Sequence, residues 1–308
     1  MSARPDPCRA VIIAGPTGGG KSAAALRLAQ EENGVIINAD SLQVYDALHI
    51  LTAHPPPADT ARAPHRLYGW LAAHESCSAM RWREAARAET RAAAAAGKLP
   101  ILVGGTGLYI KSLIEGLAPI PPVPEGIRAR AAALQAEAGN PGFHALLAAR
   151  DPAMAARLHP NDTQRLIRAW EVFEATGRSL AAWQEMPPEP DPEGDAFRYH
   201  VKILSLPRAE LRARCDRRFD QMLAQGALDE VRALDAEITA GRLAPGSPVT
   251  QALGFAPLRA ALRGEMTLAE AAARAKIDTR QYAKRQDTWF RHQIRPHPRI
   301  AAIESFSG

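Results

Sequence analysis

Residues 14–24 read AGPTGGGKSAA, a glycine-rich run that closes on Lys21-Ser22. The spacing of Gly15, four residues, then Gly20-Lys21-Ser22 is the P-loop pattern, in which backbone N–H groups wrap phosphate oxygens and the lysine adds a point charge. Its flanks are those the chemistry needs. The stretch RAVIIA before it reads as a buried strand, and KSAAALRLAQ after it reads as a helix whose N-terminus faces the anion. A phosphate site is therefore expected over Gly15, Pro16, Thr17, Gly18, Gly19, Gly20, Lys21 and Ser22. That names a phosphate, not a reaction.

A P-loop kinase or ATPase carries a second strand that ends in an aspartate and helps hold Mg²⁺. Here the corresponding stretch, PILVGG before Thr106, has no carboxylate at its end. The acid that leaves a strand near the loop is Asp40, in VIINADS. Two roles are open to it: an N-cap, which needs only a side-chain oxygen, or a base or metal ligand that faces the phosphate. The GGTG turn at 104–107 is likewise open to two readings, a strand-to-helix turn that needs backbone freedom and a mount for Thr106.

Up to about residue 117 the pattern is strand, turn, helix, repeated, which implies a parallel sheet flanked by helices. Strands are expected at 11–13, within 34–41 and at 98–105, and helices at 21–30, around 79–97 and from 106. The proline cluster LAPIPPVPEG at 117–126 continues neither a helix nor a central strand. From it to EMPPEPDPEGDAF at 185–197 the segment reads as helices between turns, and RYHVKILSL at 198–206 reads as a strand that returns to the sheet. The expected fold class is α/β: a P-loop NTPase-like core from residues 1–117 and 198–308, with an inserted helical subdomain at 118–197. In the last third, Thr267 and Glu270 have the spacing of a capping box that opens a helix toward Arg291.

The chain has 308 residues and a net charge of +5. Residues 201–300 hold 18 Lys/Arg against 11 Asp/Glu, so the basic excess lies in this third and the remainder is slightly acidic. Arg280, Lys284 and Arg291 fall on one helical stripe, and Tyr282, Arg285 and Trp289 on its neighbour. A cationic stripe beside an aromatic one suits a nucleic-acid backbone, and it equally suits an amphipathic helix docked on the core. The three cysteines, Cys8, Cys77 and Cys215, have no metal-ligand spacing, and no apolar run is long enough to span a membrane. A cytoplasmic protein, monomeric and without a membrane partner, is expected.

Six blocks, in order, resemble the tRNA dimethylallyltransferases, also called tRNA isopentenyltransferases, in their bacterial form. They are GPTGGGKS (15–22), INADSLQVY (37–45), PILVGGTGLYIKSLI (100–114), NDTQRLIRAWEVFEATG (161–177), LRARCDRRFDQML (211–223) and TRQYAKRQDTWFR (279–291). The resemblance covers nearly the whole chain. It implies that the loop holds the diphosphate of dimethylallyl diphosphate, and that the five-carbon group passes to N6 of the adenine next to the anticodon in tRNAs reading codons that begin with U. Diphosphate then leaves, and a departing anion needs stabilisation rather than in-line attack on phosphorus.

The same resemblance implies roles for single residues. Lys21 and the amides of Thr17 to Ser22 would bind the diphosphate, with the Thr17 hydroxyl adding a hydrogen bond and Ser22 contacting Mg²⁺. Asp40 would be the general base, and Arg214 would reach the diphosphate, with Arg217 and Arg218 as alternatives in the same segment. Contacts to the tRNA anticodon stem-loop would come from Asp40, Ser41, Leu42 and Gln43, from Gln164, Arg165, Leu166, Ile167 and Arg168 in the insert, and from Thr106 and Arg128. The chain departs from the family pattern at LTAHP (51–55), where a glycine and a lysine are replaced, and at PHRLYGW (64–70). A P-loop kinase acting on a small molecule or nucleotide remains the alternative.

Overall fold

The computed structural model describes residues 7–188 and 196–306. In chain order the elements are β1 (Cys8–Ala14), α1 (Lys21–Glu31), β2 (Gly34–Asn38), α2 (Pro57–Thr60), β3 (His65–Arg66), α3 (Ala79–Ala95), β4 (Leu99–Gly104) and α4 (Gly107–Glu115). There follow α5 (Glu125–Arg150), α6 (Pro152–Ala155), α7 (Thr163–Thr176) and α8 (Leu180–Gln184), then β5 (Phe197–Leu204), α9 (Arg208–Ala224), α10 (Ala227–Thr239), a 3-10 turn at Pro248–Gln251, α11 (Phe255–Leu262), α12 (Leu268–Gln293) and β6 (Ile300–Phe306). Among the described residues no helix is long and apolar enough to cross a membrane.

The described residues form two compact units, one running to Glu115 and resuming at 196, the other spanning Gly116 to 188. The proline-rich stretch expected to close the insert, 185–197, lies partly outside the described residues. In the first unit six strands form one sheet in the order β3-β2-β4-β1-β5-β6. Every pairing is parallel. Alternate residues of the central strands serve opposite faces. Val11 and Ile13 of β1 pack with Ala25, Leu26 and Ala29 of α1, whereas Ala10, Ile12 and Ala14 face the larger core that holds Trp82, Ile110 and Phe290. Burial on both faces explains the unbroken apolar runs of β1, β2 and β4.

The second unit has its own core, in which Phe143, Leu147, Leu166 and Val172 are fully buried. Its long helix α5 changes direction at Gly139, whose φ is +63°, with Pro141 two residues on. The sequence pattern did not announce β6 or the short edge strand β3. The latter arises where His65 and Arg66 pair with Ile36 and Ile37.

Trp82 links the helical layer to the strand that presents Asp40. Its ring is fully buried, stacks on Tyr109 at 4.5 Å, and its Nε1 donates to Asn38 O at 2.8 Å. Trp82→Ala is expected to lower stability by about 3–5 kcal/mol through cavity formation. Trp82→Phe, which keeps a ring and orphans the carbonyl, should cost about 1–3 kcal/mol. Urea denaturation midpoints of the two variants check the order.

Candidate active site

β1 delivers the chain into the glycine-rich loop, and α1 leaves it at Lys21. Gly20 caps α1 at φ +97° with no side-chain cap, so the first amides of the helix are left for a ligand at the positive end of its dipole. Gly18 has φ +75°, and a Cβ there would stand 2.9 Å from Cys215 Sγ, so glycine is required on both counts. Two amides of the loop are used within the protein: Gly19 N donates to Pro16 O at 3.1 Å, and Thr17 N to Gln286 Oε1 at 2.8 Å. The amide of Thr17 is therefore engaged, while its hydroxyl oxygen accepts from Arg218 Nη1 at 3.3 Å.

Lys21 Nζ donates to Pro16 O at 2.9 Å. Burial pulls its pKa down to about 8; the Asp40 carboxylate opposes that shift and Arg218 adds to it. Ser22 is exposed at the start of α1.

Asn38, fully buried at the end of β2, shapes the segment that carries Asp40. Its Oδ1 accepts from Asp40 N at 2.8 Å, and its Nδ2 donates to Asp40 O and Leu67 O, each at 3.0 Å. Asp40 Oδ1 in turn accepts from Leu42 N at 3.0 Å, and among the described residues Oδ2 has no hydrogen-bond partner. The local turn role and the open carboxylate thus coexist in one side chain. Thr106 braces the same segment: its Oγ1 accepts from Ser41 N at 2.9 Å and lies 3.2 Å from Ser41 Oγ. Gln43 turns inward, its Nε2 donating to Thr52 O and Ala53 O at 2.9 and 2.7 Å.

α9 presents its basic residues by helical phase. Arg214 and Arg218, four apart, lie toward the loop, whereas Arg217 is exposed. Arg214 pairs with Glu210 at 2.7 Å, and its Nη1 would be 3.4 Å from a Cβ on Gly20. α9 is joined to α12 by Arg280 on Asp216, at 2.8 and 2.7 Å, and by Lys276 on Asp220, at 2.6 Å. Each of the two stripes of α12 is therefore divided between committed and exposed residues. Arg280 is committed to α9 and Arg291 to Asp287, Trp289 packs against Gly107, and Lys284 and Arg285 are exposed.

These elements enclose one pocket. Thr17, Gly18, Asp40 and Arg218 form a polar end, and Leu42, Leu51, Phe219, Met222 and Leu253 continue as an apolar wall, with Tyr282 from α12 beside them. Glu230 of α10 fixes part of that wall: its carboxylate accepts from Ile50 N at 2.9 and 3.0 Å and from Leu51 N at 3.0 Å. Arg218 lies in the block LRARCDRRFDQML as one of three candidate arginines, and the apolar seam of α9 at 211, 215, 219 and 222 puts it on the face beside the wall.

The remaining expected contact residues lie in the other unit. Arg128 is on α5 and pairs with Glu125 at 3.8 Å. Gln164 to Arg168 form the first turns of α7; Gln164 and Arg165 are exposed, Arg168 pairs with Glu171, Ile167 is half-buried and Leu166 is fully buried. Among the described residues no three His, Cys, Asp or Glu side chains are grouped to hold a metal ion.

A family model described as IPP transferase matches residues 43–293, and one described as isopentenyl transferase matches residues 8–69. The chain belongs to the IPP transferase family. A tRNA dimethylallyltransferase of Rhodospirillum centenum is 54% identical over 284 residues, covering 92% of this chain and 88% of the relative. The one from Paramagnetospirillum magneticum is 55% identical over 285 residues, with the same coverage. Among solved structures, the tRNA isopentenylpyrophosphate transferase of Bacillus halodurans has a TM-score of 0.65 at 32% identity, over 97% of this chain and 89% of that one. A eukaryotic dimethylallyltransferase acting on tRNA has a TM-score of 0.74 at 29% identity, over 92% and 69%. The six-stranded parallel sheet is the P-loop NTPase-like core of this family.

An anion docked on the loop stabilises the protonated form of Lys21 and raises its pKa. Below about pH 8 the free protein already carries that proton; above it, binding must take one up, so affinity for diphosphate falls as pH rises through that value. Calorimetry near pH 8.5 in buffers of different ionisation enthalpy should show greater net proton uptake on binding by the wild type than by Lys21→Arg, the ligand's own proton exchange being common to both. Equal proton exchange in the two proteins would contradict the assignment.

Proposed function

We propose that this chain transfers the dimethylallyl group of dimethylallyl diphosphate to N6 of the adenine next to the anticodon, in tRNAs reading codons that begin with U. The observation that carries the reading is that Thr17 and Gly18 of the phosphate loop, Asp40 and an apolar wall line a single pocket. A prenyl diphosphate has that division: a trianionic head for the loop and a five-carbon tail for Leu42, Leu51, Phe219, Met222 and Leu253. A kinase pocket has no need of such a wall beside its phosphates. The turn after β4 also supplies Thr106, bonded to Ser41, where a kinase would place a carboxylate.

In the transfer the C1–O bond to the diphosphate breaks and the N6–C1 bond forms. Asp40, with one carboxylate oxygen open, takes the proton that N6 loses. Charge that grows on the leaving diphosphate is met by Lys21, by the first amides of α1 and by Arg218, with Arg214 close by. The adenine must leave its stack to reach this point, and the helical unit, with Gln164 and Arg165 exposed on α7, supplies a surface for the anticodon stem-loop. Mg²⁺ fits the donors present, since it is commonly held through substrate phosphates and few protein ligands, and the exposed Ser22 hydroxyl is the ligand the loop offers. When bound, the ion would neutralise part of the diphosphate charge.

Purified protein with Mg²⁺, radiolabelled dimethylallyl diphosphate and unmodified tRNA should place label in the tRNA. Asp40→Ala should lower the rate by ~10²–10⁴-fold, the usual worth of a general base. No label with the wild type, together with release of γ-phosphate when ATP is supplied, would return the reading to a kinase.

A further inference from the structure

Gln286 is a buried polar side chain that the transfer mechanism leaves without a task. It is 5% exposed, in the C-terminal third of α12, and both ends of its amide are in use. Oε1 accepts from Thr17 N at 2.8 Å, and Nε2 donates to Gly105 O at 2.9 Å. The fit is close: a Cβ on Gly105 would stand 2.1 Å from Nε2. A single side chain therefore ties the diphosphate loop to the turn that carries Thr106, and through Thr106 to Ser41 beside Asp40.

We propose that Gln286 is a positioning residue of the diphosphate site, setting which groups of Thr17 the ligand meets. By accepting the Thr17 amide it withdraws that donor, so anion binding starts from the amides beyond it. With the amide held, the Thr17 hydroxyl is set against Arg218. Its oxygen accepts the guanidinium N–H, and its own hydrogen is left to donate to a diphosphate oxygen. Loss of the clamp frees a buried amide and a buried carbonyl at once and lets the hydroxyl turn from this direction.

The position demands an acceptor toward Thr17 and a donor toward Gly105, with the amide also hydrogen-bonded to the Tyr282 side chain, which is what an amide supplies. A carboxylate in its place could accept from Thr17 but would face the Gly105 carbonyl with a lone pair. A protonated carboxyl would restore both bonds, its C=O accepting and its O–H donating. Gln286→Glu is thus a defective clamp at high pH and a working one at low pH, a behaviour that packing alone does not produce. The titratable and charged groups around this point are Lys21 on α1, Asp40 after β2, Cys215 and Arg218 on α9, and Tyr282 and Arg285 on α12. They are common to variant and wild type, so the ratio of the two isolates the introduced carboxyl.

The inference rests on the transferase reading only for its kinetic arm, and the probe is therefore inorganic diphosphate. Calorimetric Kd values are measured for wild type, Gln286→Met and Gln286→Glu between about pH 5.5 and 8, with KM and kcat for transfer alongside. For Gln286→Met the Kd should weaken by about tenfold or more, and the KM for dimethylallyl diphosphate should rise while that for tRNA stays unchanged. The Gln286→Glu Kd, relative to wild type, should recover as pH falls. A folded Gln286→Met protein that binds diphosphate as wild type does, or a Glu-to-wild-type ratio that is flat with pH, overturns the proposal. If Gln286→Met does not fold, the pH ratio decides alone. Wild-type protein that binds diphosphate but transfers no prenyl group defeats the transferase reading and leaves this test standing.

Discussion

The register of three parallel strands governs the rest of the molecule. Ala14 of β1 pairs with Gly104 of β4, and Asn38 of β2 with Val103, so the three strands end level at one edge of the sheet. Chain reversal there needs helical crossovers, which cover both faces and leave the three loops side by side above the strand ends. Gly104 is the tightest point: a Cβ on it would lie 2.0 Å from Ala39 O. Ala39 N meets Val103 O at 2.7 Å and Thr106 N meets Ala39 O at 3.2 Å, so the ladder continues past the strands into the turns that carry function. The phosphate loop, Asp40 and Thr106 are thereby neighbours by hydrogen-bond geometry, although far apart in the chain.

The helices behind this edge add charge in a place that opposes it. Lys21 and Arg218 are both disfavoured in their charged forms by burial, and the charge on Lys21 is further disfavoured by Arg218. Asp40 is the anion that offsets them. Such an excess of buried positive charge is a cost to the empty fold that an arriving anion relieves, and the same groups need no rearrangement when charge builds on a leaving group. The ion pairs from Asp216 and Asp220 to α12 hold α9 at this position with its arginines turned to the loop.

Local features were legible in the sequence because they depend on near neighbours. The strand, loop and helix around Lys21 and the Thr267–Glu270 capping box all have signatures within a few residues, and the box is present in full. Asp40 could be singled out, but its two roles could not be separated, because the hydrogen bonds it accepts from Leu42 N and donates to Asn38 Oδ1 arise from a turn without a motif. The choice among Arg214, Arg217 and Arg218 needed the helical phase of α9 against the loop. Gln286 sat unremarked inside a basic stripe, since its partners, Thr17 and Gly105, are distant in sequence. The apolar wall comes from four separate segments, of which only α9 is long enough to show an apolar seam. β6 escaped notice because, as an edge strand, it is half exposed and buries no full face.

The order of synthesis gives the β1 register a further consequence. β1, β2 and β4, with the loop and Asp40, lie within the first 115 residues, whereas β5, the other neighbour of β1, begins at Phe197. The arginines of α9 and the glutamine of α12 emerge later still. A nascent chain on the ribosome can therefore pair the central strands once β4 has emerged, but closes its sheet only through later contacts of still longer sequence separation, which form slowly. The anion grip is completed only after α12 has emerged, so a shorter nascent chain holds the loop without the groups that make it bind.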